Sequence, residues 1–573
     1  MTIKKQKVAI TALIVSFLFF VNIFGANADT LGQGKNFFVN SKFDKYGRAT
    51  LAANLRYISN KLYFYVEDYY WNTLNSLGQG KLLGNIVALA DEFENVIYPK
   101  EIEIFGNEPN PGIDGDPRIT VLLEEVVRGN GGYFETSNLQ SPQNVDDSNG
   151  REMFVINIES ALTSVDLAKV FLAHEFQHLI SFNQKDVLRK ISEDVWLNEL
   201  RSEQAISLVG YDKPYSSSNL KRRIDFFTEN PSDSLTEWPN EIADYAIINA
   251  FGRYAAEQYG NSIFIETMKS NLAGIPSLNE YLAGRGYGER FEDIFGYWMG
   301  AMYLNDQSKD AKLGFLDFDL RYARVQPQRR FYISGGLSEA TVLKSLKPWQ
   351  PFWLEFNLSA IAGDPLKSFK ISANGETGKI FPIFYMAFYG DGTVKTGKIR
   401  LNGNAGSANI VNSSGGLNKV VIMATEGTKL SDFGSSEGGS FLTVSGSVIE
   451  TKTVEALTIK DGSLIKRPRE KEIYVVWGKY KRYLSPGVIS LYSHLNPANA
   501  IEIEPEVFNS YQTSNYVKYV NDERVYAVWP ESSKHWLNIT PQQWDASGRD
   551  WGAIFTINDL ELNYYKIGPD ITR

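Results

Sequence analysis

The amino-acid sequence predicts a multidomain fold: an α+β domain with a helical second half, then a β-sandwich, then a tandem of small β-rich repeats. Three observations predict it. A chain of 573 residues, 43% hydrophobic and 22% charged, has the balance of a folded soluble protein, but it is too long for one core and fits about three to four domains. Near residue 330 helical periodicities give way to short β-rich runs spaced by Gly, Ser and Asn. Beyond residue 450 the sequence repeats itself. The expected boundaries are an export segment over 1–28, the α+β domain over 29–325 (first part to about 160, helical part 161–325), the sandwich over 326–450, and repeats over 451–512 and 513–573.

The export segment is read from Lys4, Lys5 and Lys7 before a charge-free, mostly apolar run of 17 residues, Val8–Phe24. Ala26, Asn27 and Ala28 form a small-x-small cleavage pattern, leaving Asp29 as the mature N-terminus; retention as an uncleaved membrane anchor is the competing reading. After cleavage no segment approaches a membrane span, so the chain is expected outside the cytoplasm, secreted or at the cell surface. The net charge of -9 and the lack of a long basic run exclude a nucleic-acid binder. With no cysteine, stability does not depend on an oxidising compartment.

In the first part, alternating stretches such as Leu62–Tyr65 and Glu101–Phe105 read as strands around a helical Leu82–Ile97. Ile119–Leu123 and Met153–Ile158 read as further strands, the first following the turn Asp114-Gly115-Asp116-Pro117. That turn also offers oxygen ligands for Ca2+, beside its simpler reading as a tight turn. Gly131, Gly132 and Tyr133 either border an extended peptide at a strand edge or form an ordinary turn, and lead into a polar loop over Gln140–Gly150.

Thr163 with Asp166 makes a capping-box pattern, opening a helix whose stripe carries Leu167, Val170, Phe171, His174 and His178. A polar loop over Asn183–Glu193 separates it from a second helix, Val195–Val209, which Gly210 stops. Further helices are expected over Ile242–Gln258, Ser262–Leu272 and Arg290–Asn305. The sandwich is read from Phe352–Phe356, Ile380–Phe388 and Val420–Thr425, with Asn404–Gly416 as a turn. In the repeats, Ile473-Tyr474-Val475-Val476-Trp477 returns 52 residues later as Val525-Tyr526-Ala527-Val528-Trp529, and Ser485-Pro486 returns as Thr540-Pro541. Each copy predicts an aromatic-rich hairpin and a helix opening at Ser/Thr-Pro, together a tandem surface module. Its aromatics either fill small β cores or meet a cell-envelope ligand, glycan or polypeptide.

The chemistry concentrates in Ala173-His174-Glu175-Phe176-Gln177-His178. Residues four apart lie one above the other on a helix, so both imidazoles can reach one zinc ion, with Glu175 beside it as general base for the attacking water. Zinc lowers the pKa of water to about 7 and polarises the scissile carbonyl, while the carboxylate takes the water proton and passes it to the leaving amine. Catalytic zinc takes three protein ligands and keeps one position open; Glu199, 21 residues after His178, supplies the third. Glu203 faces the same side one turn on, where it can accept the free N–H of His174, and Asn198 adjoins the third ligand as a further supporting residue.

HEFQH followed by NELRSE resembles the gluzincins, zinc peptidases with HExxH and then NExxSD about 20 residues later. Within that group, the HEFQHLI run and the helix over Tyr245–Gly260 look most like the hyicolysin-type peptidases, a family of secreted bacterial metalloproteases. The resemblance covers roughly Asn36–Phe315, its specific part 174–203. It implies a thermolysin-like gluzincin fold for the α+β domain, His174, His178 and Glu199 as ligands, Glu175 as general base, and Glu203 in the supporting acid's place. The chain departs from the pattern twice. Glu203 is one methylene longer than the family's Asp, and the downstream histidine that thermolysin-like enzymes use for the oxyanion is missing, since only His494 and His535 remain, in the repeats. A tyrosine must serve; Tyr245 is the candidate and Tyr254 the reserve.

The expectation is a secreted endopeptidase with one catalytic Zn2+ and polypeptide substrates. An aminopeptidase is the alternative within enzymes, although no Gly-Ala-Met-Glu-Asn-like clamp for a free amine is present. The alternative from another class is a cell-surface binding protein whose metallopeptidase domain is inactive or incidental, motivated by the missing histidine and the repeats.

Overall fold

A computed structural model describes residues 28–333, 337–359, 361–364, 366–412, 416–450, 459–468, 470–529 and 533–572. The expected export segment up to residue 27 lies outside the described residues. No described helix is long and apolar enough to cross a membrane. The chain divides into two compact units, one formed by the chain up to Ala90 with Pro109–Val165, the other by Asp91–Glu108 with the chain from Asp166 on.

The first unit is a six-stranded sheet of order β1-β2-β3-β4-β6-β5, from β1 (Gly34–Phe38), β2 (Thr50–Ile58), β3 (Leu62–Glu67), β4 (Ile119–Glu124), β5 (Gly132–Tyr133) and β6 (Met153–Asn157). β3, β4 and β6 pair in parallel. They are apolar without alternation and buried along their whole length, the pattern of parallel strands covered on both faces. β2 alternates instead, sending Leu51, Ala53 and Leu55 into the core. The helices α1 (Asp68–Thr73) and α2 (Ser76–Glu92) follow β3, α2 running across the boundary at Ala90. In the Asp114–Asp116 turn, Asp114 Oδ1 accepts from the amide of Asp116 (2.9 Å), and Asp116 accepts from the Arg118 amide (2.9 Å) and Tyr63 OH (2.7 Å). These carboxylates are engaged as turn acceptors, which is the tight-turn reading.

Several local expectations are corrected. Glu101–Phe105 is not a strand; it belongs to α3 (Tyr98–Phe105), where Pro99 fits the first turn and Glu101 and Phe105, four apart, share the buried face. The capping box at Thr163 does not form. α4 (Ile158–Thr163) ends there, Thr163 Oγ1 donates back to Glu159 O at 2.6 Å, and α5 (Val165–Phe182) starts after Ser164. Asn183–Val187 continues α5 as a π-helical turn before the loop begins.

The second unit contains α6 (Val195–Val209), α7 (Asn219–Glu229), α8 (Ile242–Tyr259), α9 (Ser262–Met268), α10 (Gly274–Gly284) and α11 (Phe291–Leu304). α7 and α10 had no counterpart in the sequence reading. Gly210 takes φ of 109° at the end of α6, a left-handed cap that glycine adopts without steric cost. A β-sandwich follows, built from β7 (Arg329–Tyr332), β8 (Glu339–Leu346), β9 (Phe352–Asn357), β10 (Lys367–Gly375), β11 (Ile383–Tyr389), β12 (Val394–Ile399), β13 (Ala405–Val411), β14 (Leu417–Ala424) and β15 (Ser440–Glu450). The sheets are β13-β10-β15-β8 and β12-β11-β14-β9-β7. β13 occupies much of the segment read as the turn Asn404–Gly416; as an edge strand it pairs only with β10, and its small residues mask the alternation.

Alternation along β9 sets the architecture. Phe352, Leu354 and Phe356 enter the core between the two sheets with Phe369 and Ile371. Trp353 points the other way, into the helical core with Phe295 and Trp298, and its indole donates to Met299 O at 3.0 Å. This sheet is therefore buried on both faces, one against its partner sheet and one against the helices.

The two C-terminal sheets share one order and one pattern of strand senses. The first reads Ile501–Glu502, Leu464–Lys466, Ile473–Trp477, Tyr480–Leu484, Gln512–Thr513; the second reads Ile554–Ile557, Tyr516–Tyr519, Val525–Val528, Ser533–Trp536, Lys566–Ile567. They pack against each other. Leu464, Leu484 and Ile489 of the first share a core with Val517, Tyr526 and Val528 of the second, and Arg482 pairs with buried Glu561 at 2.6 Å. The second repeat also meets the helices: Tyr516 OH donates to Gly286 O (3.0 Å), and the Arg290 guanidinium lies 5.3 Å from the Trp529 ring. Many of the repeats' aromatics are thus engaged in internal contacts.

Candidate metal centre

α5 and α6 carry the centre. Phe176 fixes α5 from behind, packed edge-on against Phe93 (centroids 4.8 Å) and stacked on Tyr98 (5.5 Å). Trp196, Leu197 and Leu200 bury one side of α6 in the helical core. With those faces anchored, His174, His178 and Glu199 converge, each offering one ligand atom within 4.8 Å of the others. They form the sole such group of three or more among the described residues. The aspartates at 114 and 116, read as a candidate Ca2+ site, form no such group.

The two Nε2 atoms lie 3.2 Å apart, His174 Nε2 is 3.3 Å from Glu199 Oε2, and His178 Nε2 is 3.5 Å from Glu199 Oε1. The remaining nitrogens decide the tautomers. Ser202 Oγ donates to Gln177 Oε1 (2.6 Å), so its lone pair faces His178 Nδ1 at 3.1 Å and takes that N–H. His174 Nδ1 faces Glu203 Oε1 at 3.5 Å. Each ring then directs an Nε2 lone pair inward at a carboxylate that also carries only lone pairs. Glu199 Oε2 is buried without a hydrogen-bond donor. Buried acceptors facing one another are costly unless a cation joins them.

A proton on an imidazole is the other way to relieve the site. Burial works against a charged His174, but Glu199 and Glu203 outweigh it and push its pKa up. Burial also opposes ionisation of Glu199, yet His178 and His174 hold its pKa well below the usual carboxylate range. A nitrogen–carboxylate donor set with buried imidazoles supported by Glu203 and Ser202 fits a zinc ion.

Glu175, buried one residue beyond His174, has its pKa pushed up to about 8 by burial, opposed by His178 and reinforced by Glu199. Tyr245 leads α8 into the same surroundings. Burial, then the carboxylates of Glu199, Glu203 and Glu175, raise its pKa well above the ordinary phenol value, so it remains a proton donor. Its hydroxyl donates to Asn240 Oδ1 (3.0 Å), and its ring packs against Trp238 and the Arg223 guanidinium, 4.8 Å away. Tyr254, the reserve, is corrected: it is fully buried, its hydroxyl donates to Lys312 O (2.8 Å), and no carboxylate of the centre perturbs it. Asn198 makes no side-chain bond in the centre: its Oδ1 is buried without a hydrogen-bond partner.

The sequence reading missed four participants. Ser202 lies inside NELRSE, and its spacing of three from Glu199, on the same helix face, was a usable signal. Asn249 and Asn219 donate to Glu203 Oε2 at 2.8 and 3.3 Å, and Arg223 follows Asn219 by one turn of α7. No short motif announces these three.

Among characterised proteins, a neutral metalloprotease of Staphylococcus hyicus, ShpI, is 29% identical over 243 residues, which is 38% of this chain and 50% of that protein. The chain is similar to a metalloprotease. It spans about half the length of that relative. No family model matches the sequence. Among solved structures, a pre-peptidase C-terminal domain of a Bacillus anthracis collagenase aligns at 18% identity and a TM-score of 0.14, over 22% of this chain and 98% of that one. A surface-associated copper-binding protein of Methylomicrobium album BG8, CorA, aligns at 9% and 0.15, over 21% and 98%. At such scores neither likeness carries an argument.

Proposed function

We propose that the chain is a secreted zinc-dependent endopeptidase. The observation that carries the reading is the convergence of His174, His178 and Glu199 with Glu175 on the same helix, and the likeness to a neutral metalloprotease supports it. The export segment read at residues 1–28 supports the extracytoplasmic part.

A zinc ion bound there supplies Lewis-acid polarisation of the scissile carbonyl and a lowered pKa for water. The chain's own groups do the rest. Glu203 and Ser202 orient the two rings, Glu175 takes a proton from water at one carboxylate oxygen and returns it to the leaving amine, and Tyr245 donates its O–H to the carbonyl oxygen as charge grows there. Burial favours the protonated form of Glu175, which helps it hold the proton it takes from water.

Incubating the full-length protein with casein, with and without a chelator, tests the reading. Cleavage that the chelator stops and Glu175→Gln lowers about a hundredfold or more is the expected result; absent cleavage in a zinc-loaded protein overturns it and favours a binding protein. Turnover of N-acetylated peptides separates an endopeptidase from an aminopeptidase.

A further inference from the structure

We infer that the β-sandwich is a structural part of the metal centre, because its β14–β15 loop positions α6, and with it Glu199, through Asp194. The inference rests on reading His174, His178 and Glu199 as metal ligands. Asp194 is the N-cap of α6, a position whose side chain ordinarily accepts from an amide in the first turn of its own helix. Here it makes no such bond. Its Oδ1 accepts instead from the amide of Asp432 (2.8 Å) and the hydroxyl of Ser431 (3.1 Å), both in the sandwich loop. Asp432 holds φ at 60°, a left-handed conformation uncommon outside glycine but one that Asp adopts more readily than most residues.

The same loop reaches α10. Leu430 O accepts from the amide of Ile275 (3.1 Å), and the neighbouring amide of Gly274 donates to Glu193 Oε1 (2.7 Å). Gly274 has φ of 57°, and a Cβ there would stand 2.1 Å from Asp194 Oδ2 and 3.0 Å from Leu430 O, so a side chain would be strained and would displace the Asp194 carboxylate. Glu193 also binds Arg201 at 2.7 Å, clasping α6 two residues past Glu199.

Sandwich loops also hold the segment before α8. Leu235 N donates to Trp349 O (3.1 Å), Trp238 N donates to Gly434 O (3.0 Å), and Lys347 pairs with Glu237 (2.6 Å). These contacts fix the segment that leads into Asn240 and Tyr245. The Trp349 indole joins the two loops by donating to Lys429 O at 2.8 Å. Five residues of helix, about 7.5 Å of rise, separate Asp194 from Glu199, whereas metal–ligand distances tolerate only about 0.2 Å. Asp194 is therefore a positioning residue.

The test uses full-length Asp194→Ala, Asp194→Asn and Ser431→Ala, with the zinc dissociation constant measured by competition with a chromogenic chelator and folding checked by circular dichroism. Asp194→Ala is expected to weaken zinc binding about tenfold or more. Asp194→Asn keeps the Oδ1 acceptor and is expected to stay within about threefold of wild type, and Ser431→Ala, which removes one donor without touching α6, to lose about threefold. A folded Asp194→Ala with wild-type affinity overturns the inference; if that variant does not fold, unchanged affinity in Ser431→Ala overturns it. A wild type that binds no zinc overturns the metal-centre reading beneath it as well.

Discussion

The hydroxyl of Ser202 lies 3.1 Å from Nδ1 of His178, with its own proton directed to Gln177 Oε1. That contact keeps the Nε2 lone pair of His178 turned toward Glu199. Ser202→Ala leaves the ring N–H without this acceptor and is expected to weaken zinc affinity about tenfold in a folded protein. Chelator competition measures it; equal affinity would show that the hydroxyl does not orient the ring.

Binding and turnover separate at Glu199 and Glu175. Metal analysis is expected to find about one zinc in wild type and in Glu175→Gln, and little in Glu199→Ala. Hydrolysis is expected to fall by about 10² to 10⁴ in Glu175→Gln, since only the proton acceptor is lost.

Tyr245→Phe is expected to lower kcat about 10²-fold while KM and zinc content change little, because the phenol meets charge that develops only in the transition state. Tyr254→Phe serves as control. Its hydroxyl bonds to Lys312 O inside the helical core, so the variant costs about 1 kcal/mol of stability and leaves kcat unchanged.

Glu101 is fully buried in α3 with neither carboxylate oxygen hydrogen-bonded, and burial raises its pKa well above the ordinary value. The folded state thus holds a proton that the unfolded chain releases above about pH 4.5. Its contribution is fully present below that pH and is lost as pH rises toward the folded-state pKa. Denaturant unfolding across pH 4 to 8 is expected to show Glu101→Gln with a flatter profile than wild type and a relative gain at the alkaline end; parallel profiles would refute this.

How legible the molecule was depended on range. The four-residue spacing of His174 and His178 is a property of one helix, so residue types in order suffice to put both rings on one side. Ser202, Glu203 and Gly210 are local to α6 in the same way. Glu101–Phe105 misled because three apolar residues cannot distinguish a period of two from one of 3.6, and Thr163 because its hydroxyl bonds backward into a helix the pattern did not separate. Asn219, Arg223 and Asn249 carried no signal at all. They reach the centre from α7 and α8, and their roles exist only once those helices pack beside α6.

By itself the sequence determined the short-range facts: which residues share a helix face, where α6 stops, that the C-terminal stretch repeats, and that two histidines stand four apart on one helix. Only the tertiary structure decided that Glu199 returns to within 4.8 Å of both imidazoles, that a sandwich loop rather than its own helix receives Asp194, and that the repeats pack against one another and the helices. The reason is physical. Backbone hydrogen bonding imposes helical and strand periodicity within a few residues, whereas the meeting of distant elements depends on complementary buried faces such as the two sides of β9, and no local spacing encodes them.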